Sequence, residues 1–140
     1  SIIDFMKGSL DYLLIMEDDV IIAPRAIAKL HTLIQHLSFD FIDIAGGDGL
    51  HVLNPDIAIL DTYFLEKKSN FATRTACAYI ISRNTALQLI RVLSNPVMPI
   101  DWSLSVALHS LNSCLGVYWL GGDLMLHGSS LGAVRSWRTE

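Results

Sequence analysis

Short apolar runs alternate with helical patterns along the chain, an arrangement that is typical of an α/β domain. The first run, residues 11–16, has the length of a strand and ends in three acids, Glu17, Asp18 and Asp19. A continuous apolar run of this kind predicts a buried central strand. Other strands are predicted over residues 41–45, 75–82, 116–120 and 123–127. The segment 57–65 is ambiguous, with an edge strand as one interpretation.

Three amphipathic helices are predicted, because apolar residues recur at helical spacings in three segments. The first follows Pro24, whose missing N–H costs nothing in a first helical turn. The second has Asn84 as its predicted N-cap, and the third begins at Asp101. The predicted buried faces, in chain order, are Ile27, Leu30, Ile34 and Leu37; Ala86, Leu89, Ile90 and Leu93; and Leu104, Ala107, Leu108 and Leu111.

Length and composition narrow the class of protein. The 140 residues, 51% of them hydrophobic and 17% charged, fit one domain over residues 1–140 and exclude a disordered tail. A net charge of −4 argues against nucleic acid as a partner. No signal peptide and no apolar run of about 20 residues is present, so no transmembrane segment is expected.

The chain has two cysteines, Cys77 and Cys114, without a CxxC spacing. This number and spacing exclude a cysteine-built zinc site and a disulfide scaffold, and they fit a reducing compartment. Cys77 is most simply interpreted as a small buried hydrophobic residue.

The acids after the first strand are the first candidate site. Ligands of open α/β sheets bind at the carboxyl ends of strands. Side chains alternate along a strand, so Glu17 and Asp19 are expected on one side and Asp18 on the other. A divalent ion such as Mg²⁺ or Mn²⁺ would relieve the repulsion between two carboxylates. The alternative is that these acids only stabilise the following helix, through their interaction with its positive N-terminus.

Three segments in a fixed order carry a family resemblance. They are LLIMEDDV at residues 13–20, AYIISRNTA at 78–86 and MPID at 98–101. In this order the chain resembles glycosyltransferase family 25, which includes bacterial lipooligosaccharide galactosyltransferases and collagen galactosyltransferases. The resemblance extends from about residue 13 to about residue 135, and it is the ordered set, not any single motif, that is specific.

The resemblance implies a GT-A-like, Rossmann-related mixed sheet flanked by helices. It also implies an inverting transferase that uses Mn²⁺ or Mg²⁺ and moves a hexose, galactose in the family, from a UDP-sugar to a glycan or lipid-linked glycan hydroxyl. Lipopolysaccharide biosynthesis is the corresponding process. In the matching acidic motif, Asp19 is the expected metal ligand, and Glu17 and Asp18 are expected to support donor binding.

Five further residues are candidates, and three of them, Asp101, His127 and Trp102, have both a functional and a structural interpretation. Asp101 matches the Pro-x-Asp motif and is either the general base that an inverting reaction needs or a helix N-cap. His127 is either a late metal ligand or a structural histidine. Ser129 and Ser130 would contact diphosphate oxygens through backbone N–H groups. Trp102 is either a stacking platform for an acceptor sugar or a core residue.

Relatives carry an N-terminal portion with the first nucleotide-binding strands, so the chain is expected to represent the C-terminal portion of the catalytic domain. Two alternatives stay open: a non-catalytic remnant that serves as an interaction module, and a metal-dependent phosphoryl-transfer enzyme. The family analogy places such a protein in the cytoplasm, with peripheral membrane association as an option, or in the endoplasmic reticulum lumen for a eukaryotic source.

Overall fold

A computed structural model describes residues 5, 7–45, 57–59, 62–66, 76–93, 97–111, 116–121, 124–128 and 132. The elements in chain order are β1 Tyr12–Met16, β2 Val20–Ile22, α1 Ala26–Ile34, β3 Phe41–Asp43, β4 Ile57–Ile59, β5 Thr62–Glu66, β6 Ala78–Ser82, α2 Arg83–Val92, α3 Ile100–Ser110, β7 Val117–Gly121 and β8 Met125–His127. The chain is therefore a mixed α/β protein, as the alternating pattern predicts.

Six strands form one mixed sheet in the order β1-β6-β3-β7-β5-β4. The β3–β7 pair is parallel, and the four other pairs are antiparallel. Strands β2 and β8 form a separate antiparallel ribbon. The ambiguous segment over residues 57–65 thus contains β4 and the start of β5, which pair with each other at the end of the sheet.

Helices cover both faces of the sheet, and each face has its own apolar cluster. On one face, Leu30 and Leu33 of α1 pack with Ile42 and Ile80. The neighbouring strand residues point to the opposite face, where a second cluster joins the strands to Leu89 of α2 and to Leu104, Ala107 and Leu108 of α3. This alternation is the two-residue period of a strand, and it produces a sheet flanked by helices.

The prediction that the first strand is central is wrong. Strand β1 lies at the edge of the sheet formed by the described strands, and β6 is its hydrogen-bonded neighbour there. The central strands are β6, β3 and β7. The prediction that β1 is buried is wrong as well, since Tyr12 and Met16 at its two ends are exposed and the three residues between them are only partly buried. The apolar run carries no information about how many strands pair with it.

The helices begin and pack somewhat differently from the predictions. In α1 the buried face is Ala26, Leu30 and Leu33, and Ile27 is 52% exposed. Ser82, not Asn84, caps α2, because its side chain accepts the Thr85 N–H. Pro99 occupies the N-cap position of α3.

Two predicted faces can be compared with the packing of α2 and α3. Leu89 of α2 is buried, whereas Ile90 is mostly exposed. The predicted face of α3 is confirmed, since all four of its residues belong to the cluster on that side of the sheet. None of the helices within the described residues has the length and apolar character needed to cross a bilayer.

Candidate metal centre

The sheet topology brings the carboxyl ends of three strands to one edge of the sheet. This edge runs across the strands and is different from the edge formed by the outermost strand β1. Strands β1 and β3 both run antiparallel to β6, and β7 runs parallel to β3, so β1, β3 and β7 share a direction. Glu17 directly follows β1, and Asp43 is the last residue of β3. Because β6 runs the other way, Cys77 precedes it at this same edge. The Glu17 backbone N–H donates to the Cys77 carbonyl at 2.8 Å, which fixes these two residues beside each other.

The β2–β8 ribbon brings His127 to this edge. Strand β2 begins directly after Asp19, and its first residue, Val20, pairs with His127. The Gly128 N–H then donates to the Asp19 carbonyl at 2.9 Å. Two chain segments that are far apart in the sequence are thereby joined by backbone hydrogen bonds, and the side chains of Asp19 and His127 come together as a result.

Four side chains converge at this point: Glu17, Asp19, Cys77 and His127. Each offers one possible ligand atom, and all four atoms lie within 4.8 Å of one another. His127 Nε2 is 3.4 Å from Glu17 Oε2, and His127 Nδ1 is 3.7 Å from Asp19 Oδ2. We call this set the four-residue group. It consists of residues that could hold a metal ion.

The four-residue group is open to solvent on one side. The Glu17 side chain is 47% exposed, those of His127 and Asp19 are about half as exposed or less, and Cys77 is completely buried. Two carboxylates so close together repel each other unless a cation lies between them. A protonated imidazole of His127 would be one such cation, and a bound metal ion would be another. Both interpretations identify a site that attracts positive charge.

The negative charge at this edge also acts on its neighbours. Burial, followed by the negative charges of Glu17, Asp19 and Asp43, raises the pKa of the Cys77 thiol from 9.0 to about 12. Burial, followed by the charge of Glu17, raises the pKa of the Tyr79 hydroxyl. Without a bound cation, both groups therefore stay protonated at neutral pH, and Cys77 is not a nucleophile.

An apolar cavity of about 430 Å³ lies between the sheet and the helices α2 and α3. Its walls come from β1, β6, α2 and α3, and they include Ile15, Tyr79 and Ile100. Ile15 is two residues before Glu17 and Tyr79 is two residues after Cys77, so each shares a strand face with a member of the group. At the N-terminus of α3 the cavity is lined by Ile100, the residue before Asp101.

The structure brings together three of the residues singled out from the sequence, namely Glu17, Asp19 and His127. Asp18 is exposed in the turn and lies outside the four-residue group. Asp101 is partly exposed in the first turn of α3, so its interpretation as the N-cap is wrong. Trp102 is 55% exposed, so its interpretation as a core residue is wrong as well. Ser129 and Ser130 lie outside the described residues.

Sequence reasoning missed two residues at this edge. Cys77 was interpreted as a hydrophobic residue, and nothing in its local sequence indicates that its thiol faces two carboxylates. Asp43 is almost completely buried at the end of β3 and was not singled out. A signal for Asp43 was available, because a carboxylate inside an otherwise apolar strand needs a specific reason to be there.

Comparison of the sequence with protein-family models and with curated protein sequences finds no match.

Proposed function

We propose that this chain is the catalytic portion of a metal-dependent, inverting glycosyltransferase with a GT-A-like fold. It transfers a hexose, galactose by family analogy, from a UDP-sugar to a glycan or lipid-linked glycan hydroxyl. The observation that carries the proposal is the convergence of Glu17, Asp19 and His127 at the edge of the sheet where β1, β3 and β7 end. Ligands of open α/β sheets bind at such an edge.

The residues present fit a Mn²⁺ or Mg²⁺ ion. Two carboxylates and one imidazole form a mainly oxygen ligand set, and the solvent-exposed side of Glu17 leaves room for a substrate group. In this proposal Asp19 and His127 hold the ion, with Glu17 beside them. When bound, the ion supplies the positive charge that stabilises a departing diphosphate.

The remaining residues bind and position the donor. Asp18 lies in the turn next to Asp19 and is exposed, so its carboxylate is available to accept hydrogen bonds from donor hydroxyl groups. Ser129 and Ser130 directly follow Gly128, whose N–H is bonded to Asp19, and this short chain connection supports a role for them near the diphosphate. Both roles rest on the family resemblance.

The acceptor is activated at the N-terminus of α3. An inverting reaction needs a carboxylate that removes the proton of the acceptor hydroxyl as this hydroxyl attacks the anomeric carbon from the side opposite the leaving group. Asp101 is partly exposed and occupies the first turn of α3, next to Ile100, which lines the apolar cavity. The exposed indole of Trp102 offers a flat face on which a sugar ring can stack.

Calorimetric binding of UDP with and without Mn²⁺ tests the proposal. We expect UDP to bind in the presence of Mn²⁺ and Asp19→Ala to abolish this binding, because the bridging ion is lost. Asp11→Ala is the matched control, since Asp11 is an exposed aspartate at the opposite end of β1. The control should bind UDP like the unmodified chain.

Three outcomes contradict the transferase. Equal UDP binding by the Asp19→Ala variant excludes a metal-bridged donor at this position. Absence of any nucleotide binding favours a non-catalytic interaction module. Release of phosphate from a simple phosphoester without a sugar acceptor favours the phosphoryl-transfer alternative.

A further inference from the structure

Cys77 belongs to the four-residue group but has no part in the proposed transfer reaction. Its Sγ lies within 4.8 Å of the ligand atoms of Glu17, Asp19 and His127. The side chain is completely buried, so it forms the inner wall of the site, whereas Glu17 forms the outer, solvent-facing side. Its backbone is held there by the hydrogen bond from Glu17.

A thiol at this place changes which metal ions the site prefers. Mn²⁺ and Mg²⁺ are hard ions that prefer oxygen, whereas Zn²⁺ accepts thiolate, imidazole and carboxylate ligands in tetrahedral geometry. A given set of nitrogen, oxygen and sulfur ligands also binds Zn²⁺ more tightly than it binds Mn²⁺. The complete four-residue group therefore has the number and types of ligands of a four-coordinate zinc site, and without Cys77 only three protein ligands remain.

We propose that Glu17, Asp19, Cys77 and His127 form a closed four-coordinate Zn²⁺ site in which Cys77 supplies a thiolate. Binding forms the Zn–S bond and releases the thiol proton to solvent, so the charge balances. Tetrahedral ligands about 2.0–2.3 Å from the ion are about 3.3–3.7 Å apart. The Glu17–His127 separation of 3.4 Å already lies in this range, and all ligand atoms of the group lie within 4.8 Å of one another, a limit that exceeds the range by about one ångström.

The closed site has a regulatory consequence, which rests on the proposed function. Zinc held by four protein ligands keeps no open position, unlike a catalytic ion. A diphosphate would then find no vacant coordination position next to Asp19. Bound Zn²⁺ therefore prevents the nucleotide-sugar from binding at this site, whereas bound Mn²⁺ permits it. Cys77 distinguishes the zinc-bound state from the manganese-bound state.

Cobalt titration of the full chain tests the site without any nucleotide. Co²⁺ replaces Zn²⁺ in tetrahedral sites, and a cobalt–thiolate bond gives a charge-transfer absorption in the near ultraviolet. We expect this absorption in the unmodified chain, its loss on addition of one equivalent of Zn²⁺, and its absence in Cys77→Ser and Cys77→Ala. Two replacements are used so that the test still stands if one of the variants fails to fold. Cys114→Ser, which removes the other cysteine of the sequence, is the matched control and should keep the absorption.

Competition between Zn²⁺ and Mn²⁺ gives a second measurement. Removal of Cys77 should lower the Zn²⁺ affinity by about 100-fold or more, since loss of mere outer-shell partners already reaches that size. The Zn²⁺ to Mn²⁺ affinity ratio should fall with it. Absence of the charge-transfer absorption in the unmodified chain, or an unchanged affinity ratio in both Cys77 variants, overturns the proposal. Failure of UDP to bind overturns only the transferase, because these titrations contain no nucleotide.

Discussion

Single residues of α1 show what decides burial at the smallest scale. Leu33 and Ile27 are both large and apolar and belong to the same helix, yet Leu33 is 2% exposed and Ile27 is 52% exposed. Leu33 points into the cluster formed with Ile42 and Ile80 on one face of the sheet. The orientation of the helix against the sheet, not the hydrophobicity of the residue, separates the two.

Truncation of these two residues should have very different effects. We expect Leu33→Ala to lower the free energy of unfolding by about 2–5 kcal/mol, because it leaves a cavity in a packed cluster. Ile27→Ala should change it by less than about 1 kcal/mol, since half of the side chain is already in water. Denaturant unfolding measures both. A larger loss for Ile27→Ala than for Leu33→Ala would mean that α1 packs with the face that the apolar spacing alone predicts.

At the scale of elements, Asp40 joins a strand, a helix and a second strand. It directly precedes β3, and its Oδ2 accepts the Gly116 N–H at 3.0 Å, at the start of β7. Its Oδ1 accepts the hydroxyls of Ser82 and Thr85 at the start of α2, each at 3.3 Å. Thr85 is completely buried, so this carboxylate is the acceptor that makes the burial of its hydroxyl possible.

Gly116 is required at the same junction. A Cβ at this position would lie 3.1 Å from the Ser38 carbonyl oxygen and from Phe39 Cα, which are backbone atoms that cannot move aside easily. The absence of a side chain lets the segments before β3 and β7 approach closely enough for the Asp40 N–H to donate to the Gly116 carbonyl at 2.8 Å. The parallel β3–β7 pair thus depends on a carboxylate and a glycine outside the strands.

Removal of the Asp40 carboxylate should loosen this junction. We expect Asp40→Ala to lower the free energy of unfolding by about 2–3 kcal/mol, because hydrogen bonds to a charged group are lost and the buried Thr85 hydroxyl loses its acceptor. Thermal or denaturant unfolding measures the change. Asp11→Ala, at an exposed aspartate, is the control. A loss no larger than that of the control would show that the junction does not depend on Asp40.

At the scale of the whole molecule, the site is assembled from strands of both sheets. Glu17 and Cys77 lie directly beside the ends of the neighbouring strands β1 and β6 of the main sheet. Asp19 directly precedes β2 of the ribbon, and His127 belongs to β8. The ribbon is also held by a bond from the Ala23 N–H to the Leu124 carbonyl at 3.0 Å. An ion bound by all four side chains would therefore link the ribbon to the main sheet and stabilise the folded chain against unfolding.

Divalent ions should accordingly raise the unfolding temperature. At about 100 times its Kd, an ion that binds only the folded chain adds roughly 2.7 kcal/mol, which corresponds to a rise of roughly 5–15 °C in a domain of this size. Thermal scans with Mn²⁺ and with Zn²⁺ measure it. Asp19→Ala should remove the rise, and Asp18→Ala, at the neighbouring exposed acid, should retain it. A rise that survives in Asp19→Ala would place the bound ion elsewhere.

Much of the local structure was predictable from the sequence, and the exceptions have physical causes. The buried face of α3 was predicted because Leu104, Ala107 and Leu108 recur at helical spacing. The cap of α2 was predicted two residues late, since Ser82 and Asn84 are both good caps and only the end of β6 selects between them. The alternation of Glu17 and Asp19 indicated a shared side, and the structure does bring both to His127.

The sequence by itself determined the alternation of strands and helices and the acidic end of β1, because periodicity and start and stop signals are properties of neighbouring residues. It did not predict β2, and it left the segment that contains β4 and the start of β5 ambiguous. Only the tertiary structure decided that β1 lies at the edge of the described sheet. It also decided that His127 and Cys77 join Glu17 and Asp19. Those contacts depend on hydrogen-bonded pairing between distant segments, and a local pattern of apolar and polar residues does not specify which segments pair.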